Sequence, residues 1–99
     1  MAGTSVPSVT GYTPTLSFGR DLQAAPPVVQ LAVGTALKAL MANSNDKQLN
    51  CRQKLFGNRP YYKFDVLPGT GWQASYEDNN GVATLRRLAT STTLDRCPF

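Results

Sequence analysis

Residues 61–88, YYKFDVLPGTGWQASYEDNNGVATLRRL, decide how this chain folds. Tyr62, Phe64 and Val66 alternate with Tyr61, Lys63, Asp65 and Leu67, the two-residue period of a strand that buries one face. Pro68-Gly69-Thr70-Gly71 is a turn by composition, because proline pre-sets φ and glycine enters conformations closed to other residues. Trp72, Ala74 and Tyr76 then alternate with Gln73, Ser75 and Glu77, and Asp78-Asn79-Asn80-Gly81 turns the chain again. A last run over 82–88 completes the order. Strands over 61–67, 72–77 and 82–88, joined by tight turns, predict an antiparallel meander. Trp72 and Tyr76 share a face and are expected to fill the core rather than stack on bases. Tyr61 faces away from Tyr62, on the side of Lys63. Regular alternation also means that Arg86 and Arg87 cannot both face one side.

A sheet with one apolar face needs a cover, and the first half of the chain supplies it. Val29, Val33, Ala36, Leu37, Leu40 and Met41 recur at three- and four-residue steps, one apolar stripe over about four helical turns. Pro27 suits the first turn of that helix, where its missing N–H is not needed. Asn43-Ser44-Asn45-Asp46 stops it, since short polar side chains bond their own backbone. Further upstream, Thr13-Pro14 reads as an N-cap followed by proline at the first helical position. Leu16, Phe18, Leu22 and Ala25 then give a short amphipathic helix over 15–24. These helices are expected to form an antiparallel hairpin on one sheet face. Residues 9–12 are expected at a sheet edge, 1–7 as a flexible arm, 47–60 as a basic connector, and the residues after the meander as a short polar tail. The fold class is α+β, one domain over 1–99 with an N-terminal helical hairpin on a small antiparallel sheet.

Composition narrows the chemistry. Of 99 residues, 41% are apolar and 16% charged, which is ordinary globular material. The stretch 24–42 is broken by Pro26, Pro27, Gln30, Gly34, Thr35 and Lys38 and falls short of a membrane span. No secretory segment is recognised, so a cytoplasmic location is expected. Ten Lys and Arg against six Asp and Glu give +4 and a pI near 9.4. That charge suits RNA, DNA or an acidic protein, with plain solubility as the alternative. There is no histidine, and Cys51 and Cys97 lie in unrelated contexts, so a zinc site lacks ligands and a Ser-His-Asp set cannot form. Whether the two cysteines pair is left open by sequence. Asp21, Asp46, Asp65, Glu77, Asp78 and Asp95 are scattered, with no spaced pair for two-carboxylate hydrolysis.

The order of the pieces is an edge strand, Thr-Pro, a helix, a proline break, a long helix, a basic connector with Lys54-Leu55-Phe56-Gly57, and a meander ending Arg87-Leu88-Ala89-Thr90-Ser91. This order resembles the RelE/ParE superfamily of bacterial toxins from toxin–antitoxin modules, over nearly all of the chain beyond residue 8. The resemblance implies a sheet cradled by two helices, with a concave basic face. It further implies a cognate antitoxin as partner. In the ribonuclease branch that face holds messenger RNA on the ribosome and cleaves it without metal or other cofactor, by attack of the 2′-hydroxyl on the adjacent phosphate. The reaction needs a base, cations for the developing charge, and an acid at the leaving oxygen.

Carried over residue by residue, the resemblance makes Lys63 a cation or general base. It matches Arg87 to an arginine common before the small residue at the end of the last strand, a candidate for electrostatic stabilisation. Ser91 stands where the ribonuclease branch often has His or Arg, and completes the catalytic candidates. Arg52, Lys54, Arg59, Tyr61, Arg86 and Arg96 are the RNA-binding candidates, with Gln73 where members often carry arginine. The tail Asp95-Arg96-Cys97-Pro98-Phe99 lacks the Tyr that many ribonuclease members keep. Replacement of acid–base groups on a kept scaffold also fits the gyrase-directed branch, or a catalytically inactive protein that binds an antitoxin.

Overall fold

The alternation at 61–67 becomes an inner strand of a sheet in the computed structural model, which describes residues 6–99. In chain order the elements are β1 (Gly11–Pro14), α1 (Leu16–Ala24), α2 (Pro27–Ala42), β2 (Arg52–Phe56), β3 (Arg59–Leu67), β4 (Trp72–Asn79), β5 (Val82–Thr90) and α3 (Ser91–Arg96). The expected meander is β3-β4-β5, paired antiparallel with Phe64 opposite Ala74 and Ala74 opposite Leu88. The sheet is larger than expected. It has five strands in the order β1-β5-β4-β3-β2 and is mixed, because β1 runs parallel to β5 at one edge.

The second edge corrects the reading of 47–60 as a connector. Gly57, at φ 65, and Asn58 form a two-residue turn that opposes Phe56 to Arg59, so Arg52–Phe56 pairs with β3. A glycine at the first turn position supplies the positive φ that a tight hairpin requires. The N-cap of α1 also moves. Pro14 ends β1, where an outer edge tolerates its missing N–H. Thr15 caps α1 instead, its Oγ1 accepting from the Phe18 N–H at 3.2 Å. The expected polar tail is partly helical, as α3. Of the arm expected over 1–7, residues 1–5 lie outside the described residues. Val6 is held, its N–H donating to Asn45 Oδ1 at 2.8 Å and its carbonyl accepting from Ser44 Oγ at 3.1 Å.

The α2 stripe forms the core as its spacing predicts: Val29, Val33, Ala36, Leu37 and Leu40 are buried, and only Met41 turns outward. They share one cluster with Phe18 of α1 and with Phe64, Val66, Ala74, Tyr76, Ala83, Leu85 and Leu88 of the sheet. Tyr76 is buried and Trp72 packs against the same cluster, on the helix side. Leu16 departs from the expected stripe and stands in solvent, as do Val28 and Leu31. The Gln30 side-chain amide reaches back to the Leu22 and Ala25 carbonyls and closes the α1–α2 junction. No helix is long and apolar enough to cross a membrane among the described residues.

Candidate functional site

With the helices on one side, every second residue of the central strands faces the other. Ladder pairing aligns Arg52 with Lys63, Lys63 with Ser75, and Ser75 with Arg87, in one row across the sheet. Lys54 and Tyr61 form a neighbouring row, and Asp65 with Gln73 another. The candidates therefore gather on a single face, because strands of period two place alternate residues together.

Arg86 is there as well, which corrects the expectation that Arg86 and Arg87 must diverge. Ser75 pairs with Arg87 while Tyr76 pairs with Leu85, so Arg86 is an extra residue in β5. A bulge of this kind breaks the alternation and lets two successive side chains lie on one side. Arg86 sits 5.7 Å from the Phe99 ring, and Arg87 Nη1 donates to Cys97 Sγ at 3.3 Å. Both thus reach the segment that follows α3.

The end of α3 and that segment cover the face. Lys63 Nζ donates to Asp95 Oδ1 at 2.8 Å, with the lysine side chain only 4% exposed and the aspartate 54%. The Lys63 ammonium holds the Asp95 carboxyl below its ordinary range, with Lys54 and Arg52 adding to the effect. Ser75 Oγ donates to the Pro98 carbonyl at 2.6 Å. The Phe99 ring packs edge-on to Tyr61 at 5.6 Å and Phe56 at 6.2 Å, with the Arg59 guanidinium 3.9 Å from its centroid. Arg59 in turn makes a two-pronged pair with Glu77, both contacts at 2.9 Å. Tyr61 is buried beneath this cover, and burial followed by the Asp95 charge pushes its phenol up. A protonated Tyr61 is a proton donor.

Arg87 is anchored at the margin. Its Nε donates to Asp21 Oδ2 of α1 at 2.7 Å, a bond that is the main cause pushing its guanidinium further up from its ordinary range. Gln73 is buried, its Nε2 donating to Asp65 Oδ1 at 2.9 Å while its Oε1 has no partner. Arg86 Nε is likewise buried without a partner. Ser91 opens α3 and donates its backbone N–H to Gly71 O at 2.8 Å; among the described residues no side-chain hydrogen bond joins it to Lys63 or Arg87. Arg96 is exposed at the far end of α3, and Arg52 bonds the Asn50 carbonyl. Cys51 and Cys97 are unpaired: Cys51 lies against the Tyr76 hydroxyl, Cys97 against Arg87. No group of three or more His, Cys, Asp or Glu could hold a metal ion among the described residues.

Sequence reasoning missed Asp95, Phe99, Phe56 and Asp21. The first two follow the last strand, and only a folded chain shows that they turn back across the sheet. Asp21 carried one signal, an acidic residue on an otherwise uncharged helical face.

No protein-family model and no curated protein matches the chain. Several solved structures do. The RelB-RelE antitoxin–toxin complex of Methanococcus jannaschii matches with a TM-score of 0.57 at 20% identity, over 82% of this chain and 92% of that one. A copper-bound mutant toxin from Helicobacter pylori matches with a TM-score of 0.59 at 18% identity, over 87% and 99%. YafQ of Escherichia coli strain BL21(DE3) matches with a TM-score of 0.57 at 18% identity, over 84% and 94%. At these identities the likeness is one of fold, and the fold of this chain is that of the RelE-type toxins.

Proposed function

We propose that this protein is the toxin of a type II toxin–antitoxin pair and cleaves messenger RNA on the ribosome from the open face of its sheet. The observation that carries this reading is the convergence of Lys63, Tyr61, Arg86 and Arg87 on one face of a fold shared with toxins. Attack of a 2′-hydroxyl on the adjacent phosphate builds negative charge on the phosphoryl oxygens. Lys63, Arg86 and Arg87 meet that charge, in surroundings drier than bulk water. Tyr61, whose phenol is protonated near neutral pH, donates to the leaving 5′-oxygen. Ser91 has no neighbouring base to activate it and takes no proton-transfer role. Cleavage on this reading rests on positioning and charge more than on a strong base, with the 2′-hydroxyl proton passing to water. A cognate antitoxin is the natural partner: the net charge of +4 suits an acidic segment, and exposed Leu16, Val28 and Leu31 offer apolar surface for it to cover.

The test is controlled expression followed by mapping of messenger RNA ends within minutes. New ends inside translated coding regions, lost with Lys63→Ala, are the expected result. Intact messages in growth-arrested cells would move the target elsewhere, to gyrase among others. One observation favours a second reading, a protein of the same fold that binds an antitoxin without cleaving. Lys63 and Arg87 are both already engaged by carboxylates, Asp95 and Asp21. Intact messages with normal growth would select it.

A further inference from the structure

The cover over the basic face has the chemistry of what it excludes. A single-stranded nucleotide presents an anion and, a few ångströms away, a flat aromatic ring. Asp95–Phe99 presents the same two groups. Its carboxylate is on Lys63 at 2.8 Å, and its ring lies between Arg59 and Tyr61, at 3.9 and 5.6 Å. We infer that Arg59, Phe56, Tyr61 and Arg86 form a nucleobase clamp, that Lys63 is the phosphate site beside it, and that Asp95 and Phe99 occupy both as an internal substitute which single-stranded RNA must displace.

This inference rests on the proposed RNA-directed function for its choice of ligand, and on three features of the geometry. First, cations flank the ring, with Arg59 stacked on it and Arg86 at 5.7 Å. Guanidinium planes stack on bases as readily as on phenylalanine, and a base also brings a phosphate that two arginines favour. Second, the substitute is imperfect. Arg86 Nε is buried and unpartnered, while its Nη1 lies 3.7 Å from Glu77 Oε1. Buried donors left without acceptors are costly, and an RNA phosphate would supply one to Arg86. Third, the attachment is reversible in kind. It adds no strand to the sheet: an ion pair whose acidic member is 54% exposed, the Ser75–Pro98 and Arg87–Cys97 hydrogen bonds, and the contacts of the Phe99 ring with Tyr61, Phe56, Arg59 and Arg86 hold it, beside buried Leu94 and Pro98, at and just beyond a six-residue helix. A helix that short has little stability of its own.

Binding that requires the cover to open is weakened by the fraction of molecules already open. The experiment is fluorescence anisotropy with a labelled single-stranded RNA hexamer whose 2′-hydroxyls are methylated to prevent cleavage. The wild type is compared with Asp95→Asn/Phe99→Ala, after circular dichroism melts establish that both are folded. A covered state populated at about 90–99% predicts a gain in affinity of about 10–100-fold for the double variant. Arg59→Ala in that background should remove most of the gain. Affinity equal to or below that of the wild type overturns the inference.

A second measurement needs no variant. On titration of the wild type with the same hexamer, the Phe99 ring resonances should shift to those of a solvent-exposed phenylalanine. Saturation with RNA while Phe99 stays in place would also overturn the inference. Message cleavage in cells is scored separately. Tighter hexamer binding without cleavage keeps the clamp and removes the ribonuclease reading, whereas cleavage with unchanged hexamer affinity does the reverse.

Discussion

Asp21 Oδ2 accepts two hydrogen bonds at once, from Arg87 Nε at 2.7 Å and from the Leu88 backbone N–H at 3.0 Å. The arrangement follows from unequal strand lengths. β1 stops at Pro14 opposite Leu85, so β5 runs on with an unpaired outer edge. Exposed edges need partners, and a carboxylate from α1 takes the place of a strand. One residue therefore fixes a helix to a sheet edge and aims a candidate catalytic arginine.

Asp21→Ala removes both bonds and leaves a partly buried guanidinium without its counter-charge. Hydrogen bonds to charged groups contribute about 1.5–3 kcal/mol, and with the pair 25% and 19% exposed the lower end applies. Urea denaturation should show a loss of about 1–2 kcal/mol. Asp21→Asn should recover part of it by keeping an acceptor for Leu88. A loss within the ordinary surface range of about 0.5 kcal/mol would mean the edge is sealed some other way.

Tyr61→Phe separates packing from proton donation. The ring contact with Phe99 survives, since the phenol oxygen adds nothing to an edge-on pair. Stability should change by less than about 0.5 kcal/mol, while message cleavage should fall by about 10²–10⁴-fold if the hydroxyl is the general acid. Undiminished cleavage by a folded Tyr61→Phe protein would remove Tyr61 from the chemistry and leave it a structural residue.

Much of this architecture was legible in the sequence, and the failures have physical causes. The meander, the long α2 and its buried stripe followed from period and turn chemistry, where local preference and tertiary packing agree. β2 was missed because Arg52-Gln53-Lys54 carries no apolar alternation, and an edge strand that buries neither face shows none. The bulge at Arg86 was invisible for a different reason. It is a property of how β4 and β5 register, and no residue in β5 announces it. Of the candidate site, Lys63 and Arg87 came from the resemblance to the toxin family and Tyr61 from strand parity, and all three lie on the open face. Their partners Asp95, Phe99 and Asp21 were not found, because each arrives from another element across a long sequence separation.

The Asp95 carboxyl makes the cover sensitive to acid. Its hydrogen bond to Lys63 lowers the folded-state pKa below the ordinary value of 3.8. A carboxyl depressed on folding contributes stability above its unfolded pKa and loses it as pH falls through the folded one. The denaturation midpoint of the wild type should thus decline more steeply below about pH 4 than that of Asp95→Asn, and the two curves should converge at the acid end. Parallel curves from about pH 6 to pH 2 would show that Lys63 and Asp95 do not pair in solution.

The bulge has a consequence for RNA binding that regular alternation forbids. If β5 kept its period, only Arg87 would reach the open face and Arg86 would turn toward the helices. With the extra residue in place both arginines approach the segment after α3, Arg86 at the Phe99 ring and Arg87 at Cys97 Sγ. Each cation that neutralises a phosphate of a single strand adds about 0.7 to the steepness of log Kobs against log salt. Arg86→Ala and Arg87→Ala should therefore each reduce the slope by about that amount, and the double variant by about 1.4. These slopes are read most clearly in the Asp95→Asn/Phe99→Ala background, where the face is uncovered. An unchanged slope for Arg86→Ala beside a reduced one for Arg87→Ala would place Arg86 off the RNA path and leave its bulge a matter of strand twist alone.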